Sequence, residues 1–209
     1  MEKLISRGAE ADIYLGKWGP LDAVYKVRIR KPYMNEALDS FLRRTRTLRE
    51  ARMLRAARAY IPTPHVLYVG PKSYILVLEY ISGRVMKDEL NGNPSLAFHM
   101  GVYLARLHSN GIAHGDPNTS NMILGASGKY YMIDFGLSYF TERVEDYAVD
   151  VHLFREILNV QHTEVYDEAL RSFYEGYFSE SKVEKNRMLD KLDEIEKRGR
   201  YSRRRSFQF

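Results

Sequence analysis

The 209-residue sequence contains no cysteine. This absence excludes disulfide bonds, thiolate zinc sites and cysteine nucleophiles together. The sequence also lacks any stretch near the roughly 18 apolar residues that a membrane-spanning helix needs. Its first seven residues, Met-Glu-Lys-Leu-Ile-Ser-Arg, lack the apolar run of a secretory signal. We therefore expect a soluble, cytoplasmic protein with no membrane partner.

The composition is that of a folded protein. Hydrophobic residues make up 44% of the chain and aromatic residues 12%, which is enough for a packed core and argues against global disorder. The length allows one or two lobes around a cleft, but not a catalytic domain together with a separate regulatory domain.

Positive charge is concentrated in two segments. Residues 36–60 contain seven arginines and three acidic residues, and residues 191–209 contain seven lysines and arginines and three acidic residues, so each segment carries a balance of +4. The whole chain has a formal net charge of +5. Such segments can contact a phosphate backbone or an acidic protein face, or they can be a solvated helix face and a loose tail. Both interpretations remain open from the sequence.

The most informative segment lies between His114 and Gly136. It reads His-Gly-Asp-Pro-Asn-Thr-Ser-Asn-Met-Ile-Leu, then a turn, then Tyr-Met-Ile-Asp-Phe-Gly. The order and spacing of Asp116, Asn121 and Asp134 are typical of the phosphoryl-transfer site of the protein-kinase fold. We predict that Asp116 is catalytic and accepts a proton from a hydroxyl or water. Asn121 and Asp134 are predicted to bind Mg²⁺ against the phosphates of ATP, and Gly136 to let the chain turn after Asp134.

Lys26, in the strand-like segment Val-Tyr-Lys-Val, is the candidate for contacting the α- and β-phosphates of ATP, and we also count it as catalytic. Three neighbouring cations compete with it for this role: Arg28, Arg30 and Lys31. Glu50, in the arginine-rich segment, is the expected partner of Lys26. Alternatively, Glu50 offsets the charge of nearby arginines on its own helix.

Two further groups complete the predicted nucleotide site. Arg7, Gly8 and Ala9 occupy the place of a phosphate-covering loop, although this loop has one glycine where kinases typically have three. Glu79 and Ile81 lie at the predicted hinge between two lobes. Both groups are candidate cofactor-binding residues.

Periodicity and turn residues predict the fold class. Extended segments are expected at 3–6, 12–15, 23–29, 66–69 and 74–80. Helices are expected at 36–59, 95–109 with Ser95 as the cap, 145–158, 163–178 and 181–198, and we place Tyr14 and Phe41 in the core. The result is an α+β, minimal bilobal protein-kinase-like fold, with an antiparallel five-stranded N-lobe carrying one long helix and a reduced, mainly helical C-lobe. The predicted division is an N-lobe at 1–81, a C-lobe at 82–198 and a flexible basic tail at 199–209.

Six further segments are informative together: Arg-Gly-Ala-Glu-Ala, Tyr-Lys-Val-Arg-Ile-Arg-Lys-Pro-Tyr, Arg-Glu-Ala-Arg-Met-Leu, His-Gly-Asp-Pro-Asn-Thr-Ser-Asn-Met-Ile, Ile-Asp-Phe-Gly-Leu-Ser and Tyr-Ser-Arg-Arg-Arg-Ser. These segments resemble those of the small, atypical serine/threonine kinase subunit of the KEOPS (EKC) complex, in its short archaeal form. The resemblance implies weak serine/threonine kinase and ATPase activity. It also implies partnership with the threonylcarbamoyl transferase and other KEOPS subunits that build threonylcarbamoyladenosine in transfer RNA. The tail would contact the transferase or transfer RNA, with Ser202 or Ser206 as autophosphorylation sites.

The sequence departs from ordinary protein kinases in its catalytic segment. Gly115 replaces the arginine that reads a phosphorylated activation loop, Asn118 stands where a lysine is usual, and Pro117 where this family leads us to expect leucine. Only fifteen residues separate Asp134 from Asp150, the predicted anchoring aspartate of the next helix, so little chain is left to dock a peptide.

Two other functions are compatible with the motif. One is a small-molecule kinase of the aminoglycoside or choline type, although such enzymes usually need a larger helical lobe. The other is a scaffold that binds nucleotide without turnover, although a scaffold has no need of a catalytic base.

Overall fold

The computed structural model describes the backbone of residues 3–205 and the side chains of residues 3–198. The chain divides into two compact units. The first contains the chain up to Gly83 together with Gly125–Leu137, and the second contains Arg84–Leu124 and the chain from Ser138 onward. Segment Gly125–Leu137 therefore groups with the first unit, whereas the division from sequence placed it in the second lobe.

The first unit is built on a five-stranded antiparallel sheet, as predicted. Its strands are β1 (Lys3–Arg7), β2 (Ala11–Trp18), β3 (Leu21–Arg28), β4 (Val66–Gly70) and β5 (Ile75–Glu79). Their order in the sheet is β1-β2-β3-β5-β4. The register pairs Lys26 of β3 with Leu76 of β5 and with Ile13 of β2. Central strands β3 and β5 supply most of the buried side chains of the sheet, among them Ala23, Leu76 and Val77.

One long helix, α1 (Glu36–Ala57), packs against β4 and β5. It begins after Asn35, whose side chain accepts a hydrogen bond from the backbone N of Ala37 at 2.9 Å. The buried face of α1 contains both small apolar and polar residues: Asp39, Thr47, Glu50, Ala51, Met53, Leu54 and Ala57. The placement of Phe41 in the core was wrong, since its side chain is 63% exposed. Polar residues occupy part of the inward face, so the larger apolar residues Leu38, Phe41 and Leu48 lie outside it.

The second unit is mainly helical. Its helices are α2 (Met86–Glu89), α3 (Ala97–His108), α4 (Val144–Gln161), α5 (Tyr166–Glu180) and α6 (Lys185–Arg205). Strands β7 (Ile112–Ala113) and β10 (Tyr139–Phe140) pair antiparallel within this unit. Of the remaining short strands, β9 (Tyr130–Met132) belongs to the first unit, whereas β6 (Gly83–Val85) and β8 (Met122–Gly125) each lie at a boundary between the units along the chain. Within residues 3–205, no helix combines the length and the apolar character required to cross a membrane.

Two boundaries differ from the sequence prediction. Ser95 does not cap α3: it lies inside a 3₁₀ turn, and its Oγ donates to Oδ1 of Asn93 at 2.6 Å. Helix α6 continues to Arg205, so the backbone of residues 199–205 is helical rather than a loose tail. Among the predicted tail residues, Ser206 and the two phenylalanines after it lie outside the described residues.

Helices α3 and α5 cross at two glycines. A Cβ atom on Gly101 of α3 would lie 2.1 Å from the carbonyl O of Phe173, and one on Gly176 of α5 would lie 2.1 Å from the carbonyl O of Phe98. Neither distance is physically possible for a real side chain. The two backbones are therefore in direct contact, which fixes the position of α5 on α3.

Candidate functional site

The first unit brings three predicted site residues together. Strand β3 supplies Lys26, α1 supplies Glu50, and the turn after β9 supplies Asp134. The Nζ atom of Lys26 lies 2.7 Å from Oε1 of Glu50 and 2.8 Å from Oδ1 of Asp134. Glu50 is buried, and only 11% of the Lys26 side chain is exposed. The predicted Lys26–Glu50 pair is confirmed.

Arg28 is a second cation on the same carboxylate. Its Nη2 atom lies 2.7 Å from Oε2 of Glu50, and 3.4 Å from the backbone O of Arg46. Because alternate residues of a strand share one face, Arg28 and Lys26 both reach α1 from β3. From the sequence, Arg28 was considered only as a competitor of Lys26 for phosphate. The two-residue spacing between Lys26 and Arg28, which places both side chains on one face of a strand, could have indicated that both contact Glu50.

The charges in this cluster shift the ionisation of its members. Burial lowers the pKa of the Lys26 ammonium, but the carboxylates of Glu50 and Asp134 outweigh burial and raise the pKa above its ordinary value. Lys26 therefore stays protonated at neutral pH. Burial raises the pKa of Glu50, and Lys26 and Arg28 counteract that increase only in part.

The turn after β9 is made at Asp134 rather than at Gly136. Asp134 has φ of 60°, in the left-handed region that aspartate tolerates better than most residues, whereas Gly136 is not among the positive-φ glycines. Gly136 instead lies close to the site: a Cβ there would be 3.1 Å from Oδ1 of Asp134, a tight contact, and 3.6 Å from Oε2 of Glu50, an ordinary one. Its backbone N also donates to Oδ1 of Asp134 at 3.1 Å.

The predicted phosphate-covering loop is the exposed turn between β1 and β2. Arg7 is the last residue of β1 and pairs with Asp12. The backbone N of Gly8 donates to the carbonyl O of Ala11 at 3.0 Å, which closes the turn. The carbonyl O of Ala9 accepts from the Lys31 ammonium. Lys31, one of the cations considered as an alternative to Lys26, therefore contacts the loop between β1 and β2.

The predicted hinge residues lie at and beyond the end of β5. The Oε2 atom of Glu79 accepts from the backbone N of His65 at 3.0 Å, and the backbone N of Glu79 donates to the carbonyl O of His65 at 2.8 Å. The Glu79 carboxylate thus ties β5 to the segment before β4. Ile81, two residues later, is half-buried.

The second unit holds Asp116 and Asn121 together. The Nδ2 atom of Asn121 donates to the backbone O of Asp116 at 3.0 Å and to its carboxylate Oδ2 at 3.1 Å. Both bonds use the amide nitrogen, so the Oδ1 atom of Asn121 takes no part in them. A 3₁₀ turn at Thr119–Asn121 sets this spacing, and Asn118 begins it by accepting from the backbone N of Ser120 at 2.9 Å. The Asp116 side chain is exposed.

Asp150 of α4 fixes the backbone that leads to Asp116, so its predicted anchoring role is confirmed. Its carboxylate accepts from the backbone N of His114 at 2.6 Å and from that of Gly115 at 2.8 Å. Gly115 has φ of 81°, a conformation that disfavours the arginine found here in ordinary protein kinases. The backbone conformation of this loop therefore favours glycine over arginine at position 115.

Two buried histidines that sequence reasoning missed support the same loop. The Nε2 atom of His108 lies 3.0 Å from Oδ2 of Asp150, and its Nδ1 atom lies 2.8 Å from the hydroxyl of Tyr177. His162 contacts Oγ1 of Thr119 through Nε2 at 3.1 Å. Neither histidine belongs to a recognisable local motif, because their partners are at least 42 positions away in sequence.

The predicted magnesium ligands have suitable donor chemistry. In the part of the chain that the structure describes, no group of three or more histidine, aspartate or glutamate side chains could hold a metal ion. The predicted site needs less from the protein, since Mg²⁺ is usually held by one or two carboxylates together with phosphates and water. The Asp134 side chain is 43% exposed, and Asn121 has an amide oxygen outside its hydrogen bonds. Both are oxygen ligands of the hard type that Mg²⁺ prefers.

Comparisons with known proteins identify the family of this chain. Residues 31–169 match the family described as the ABC1 atypical kinase-like domain. The KEOPS complex subunit Bud32 of Pyrococcus abyssi is 39% identical, and the alignment covers 97% of each chain. This chain belongs to the Bud32 family. A probable bifunctional tRNA threonylcarbamoyladenosine biosynthesis protein of Methanocaldococcus jannaschii is 36% identical over 96% of this chain, which spans 37% of that relative's length.

A solved structure supports the fold. The Rio2 kinase of Chaetomium thermophilum, solved as a complex with ADP, Mg²⁺ and phosphoaspartate, matches with a TM-score of 0.61 at 16% sequence identity. The match covers 96% of this Bud32-family chain and 72% of the Rio2 chain. The predicted kinase-like α+β fold is confirmed.

Proposed function

We propose that this chain is a magnesium-dependent ATP phosphotransferase and ATPase, with serine or threonine as the acceptor in the transfer reaction. The observation that carries the proposal is the buried contact of Lys26 with both Glu50 and Asp134. The Lys26 ammonium lies between Glu50 of α1 and Asp134 of the Asp-Phe-Gly segment. From this position it could leave one carboxylate and bind a nucleotide phosphate instead. Lys26 would bind the α- and β-phosphates, while Glu50 orients it.

Asp116 would accept the proton of the attacking hydroxyl or water. Asn121 would hold Asp116 in place through Nδ2 and present Oδ1 to a cation, and Asp134 would supply a carboxylate ligand. Bound Mg²⁺ would supply charge neutralisation of the phosphate oxygens. The loop after β1, with Arg7, Gly8 and Ala9, and the hinge residues Glu79 and Ile81 would surround the nucleotide.

The acceptor would not be a generic peptide. Gly115 cannot pair with a phosphorylated activation loop as an arginine would, and the segment from Asp134 to Asp150 is short. Activity should therefore not require prior phosphorylation of that loop. It should also be poor on peptide libraries, because little chain is available to dock them.

Family membership extends the proposal to a biological role. The relatives are named as a KEOPS complex subunit and as tRNA threonylcarbamoyladenosine biosynthesis proteins. We infer that this chain works in the cytoplasm as a KEOPS subunit and supports formation of threonylcarbamoyladenosine in transfer RNA. Its partners would be the threonylcarbamoyl transferase and the other KEOPS subunits, with transfer RNA as a further ligand of the basic segments.

Hydrolysis of ATP by the purified full chain, with and without Mg²⁺ and with and without the transferase, tests the proposal. Replacing Asp116→Asn should leave ATP binding intact and lower turnover by at least about a hundredfold, because it removes the proton acceptor and keeps the shape. Asp190→Asn, the same change at an exposed carboxylate on α6, is the matched control. Wild-type turnover by Asp116→Asn would overturn the catalytic assignment. Nucleotide binding without any turnover would identify a scaffold, and efficient transfer to an aminoglycoside would identify a small-molecule kinase.

A further inference from the structure

A chain of buried hydrogen bonds runs from α5 to the catalytic loop of the second unit. The hydroxyl of Tyr177 lies 2.8 Å from Nδ1 of His108, and Nε2 of His108 lies 3.0 Å from Oδ2 of Asp150. Asp150 in turn accepts from the backbone N atoms of His114 and Gly115. Tyr177 is fully buried, and His108 and Asp150 have side-chain exposures of 0% and 1%. Water is therefore unavailable to replace a lost bond.

The donors and acceptors in this chain determine where its protons lie. A carboxylate that receives two backbone N–H groups is an acceptor only, so Nε2 of His108 must carry the hydrogen that points at Asp150. In a neutral imidazole Nδ1 is then the acceptor, and the hydroxyl of Tyr177 is its donor. We propose that Tyr177 is a positioning residue for the Asp116 loop, because its hydroxyl holds His108 in the tautomer that donates to Asp150.

The packing of α3 and α5 places this hydroxyl. The two backbones touch at Gly101 and Gly176, and Tyr177 directly follows the second of these glycines. His108 lies seven residues after Gly101, which is about two helical turns and so on the same face of α3. The ring of Tyr147 stacks on His108 with 4.6 Å between centroids, so the imidazole has little room to turn away.

Without the Tyr177 hydroxyl, His108 would no longer be held in the tautomer with hydrogen on Nε2. If His108 carried its hydrogen on Nδ1 instead, the lone pair of Nε2 would face the carboxylate of Asp150. Asp150 would then lose one of its hydrogen-bond donors. Asp150 would then hold the backbone of His114 and Gly115 less firmly, immediately before Asp116. This effect on catalysis rests on the function proposed above. The assignment of the His108 tautomer is independent of that function.

Nitrogen NMR of the full chain labelled with ¹⁵N-histidine tests the tautomer directly. The wild-type spectrum should show His108 protonated at Nε2 and unprotonated at Nδ1 near neutral pH. In Tyr177→Phe, the signals should move towards a mixture of tautomers, while Tyr174→Phe, the same change one turn earlier on α5, should leave them in place. A wild-type His108 with both nitrogens protonated, or with hydrogen on Nδ1 alone, would overturn the proposal, and so would an unchanged tautomer in Tyr177→Phe.

Turnover tests the consequence in a double-mutant cycle. Tyr177→Phe should lower kcat for ATP hydrolysis by about tenfold and change KM by less than about twofold, since one buried bond is lost away from the nucleotide. His108→Gln places a non-tautomeric donor near the position of Nε2. In that background, adding Tyr177→Phe should change kcat by less than about twofold. An equal loss in both backgrounds would assign Tyr177 a merely structural role. If the wild-type chain hydrolyses no ATP, the proposed function fails while the NMR result still decides the tautomer.

Discussion

Arg28 and Glu50 form a buried ion pair, with 2.7 Å between Nη2 and Oε2, beside the contact of the same carboxylate with Lys26. The side chains of Arg28 and Glu50 are 5% and 1% exposed. In the proposed function, Glu50 would therefore keep one buried cation when Lys26 moves to a phosphate. Without Arg28, a move of Lys26 to a phosphate would leave the buried Glu50 carboxylate with no cation from this cluster.

Removing Arg28 should destabilise the chain strongly. Arg28→Met keeps much of the length and apolar packing of the side chain but leaves Glu50 with Lys26 as its only cation in the cluster. We expect the free energy of unfolding in urea to fall by about 3–5 kcal/mol, as for other broken buried pairs. Arg46→Met, which removes a partly exposed pair with Glu10, should cost less than about 1 kcal/mol. Similar losses for both variants would contradict the special role of Arg28.

Charge at Asp134 should control the effect of Mg²⁺ on nucleotide binding. Asp134→Asn preserves the shape, the tolerance of φ near 60° and an oxygen that can accept from Lys26, while removing the anionic ligand. Titration calorimetry should show that Mg²⁺ strengthens ATP binding to the wild type and changes binding to the variant by less than about twofold. Asp22→Asn, at an exposed ion pair with Lys17, should behave as the wild type. An undiminished Mg²⁺ effect in Asp134→Asn would remove Asp134 from the metal site.

The local part of the first unit and of its site could be predicted from the sequence. Lys26 sits in an alternating strand, and Asp134 belongs to a contiguous motif, so periodicity and spacing were sufficient to find them. The inward face of α1 was harder to predict. Glu50 and Thr47 are buried there because the cations of β3 and backbone groups satisfy them, whereas Phe41 is exposed.

The features of the site that could not be predicted from the sequence depend on its three-dimensional contacts. Gly136 was expected to let the chain turn after Asp134, but the left-handed residue is Asp134 itself, and a Cβ on Gly136 would lie 3.1 Å from its Oδ1 atom. Asp150 holds the backbone before Asp116, and its buried neighbour His108 contacts Tyr177, which is 69 positions away from His108 in sequence. Their contact depends on how closely α3 and α5 approach, and no pattern within either helix encodes that distance.

The crossing of α3 and α5 should tolerate no side chain. In Gly101→Ala the new Cβ would lie 2.1 Å from the carbonyl O of Phe173 and 2.7 Å from the backbone N of Tyr177, so the helices must separate. We expect a loss of about 3 kcal/mol in the free energy of unfolding, at the upper end of overpacking effects. Gly92→Ala is the control, because its Cβ would meet Glu89 at an ordinary 3.6 Å. A wild-type stability for Gly101→Ala would show that the two backbones are not in contact.

His162 should make stability depend on pH on the acidic side of neutrality. It is buried, with Nδ1 2.6 Å from Oδ1 of Asn91 and Nε2 3.1 Å from Oγ1 of Thr119. Burial, and secondarily the charge of Lys87, lowers the pKa of His162 below its ordinary value of 6.5. The unfolded chain therefore binds a proton before the folded chain does, so the stability contributed by neutral His162 is complete above pH 6.5 and is lost as the pH falls through the lowered pKa.

Urea unfolding at about pH 8 and about pH 5 measures this loss. His162→Asn does not titrate and can still donate to Asn91, so it should be less stable than the wild type at the higher pH but lose less stability on acidification. Burial lowers the pKa of His99 as well, which leaves a residual slope in this variant. His99→Asn, tested alone, separates the two contributions. If His162→Asn loses as much stability between the two pH values as the wild type, His162 is not the group that titrates. A smaller loss would show that the uncharged imidazole of His162, which contacts Thr119 and Asn91, stabilises the folded chain.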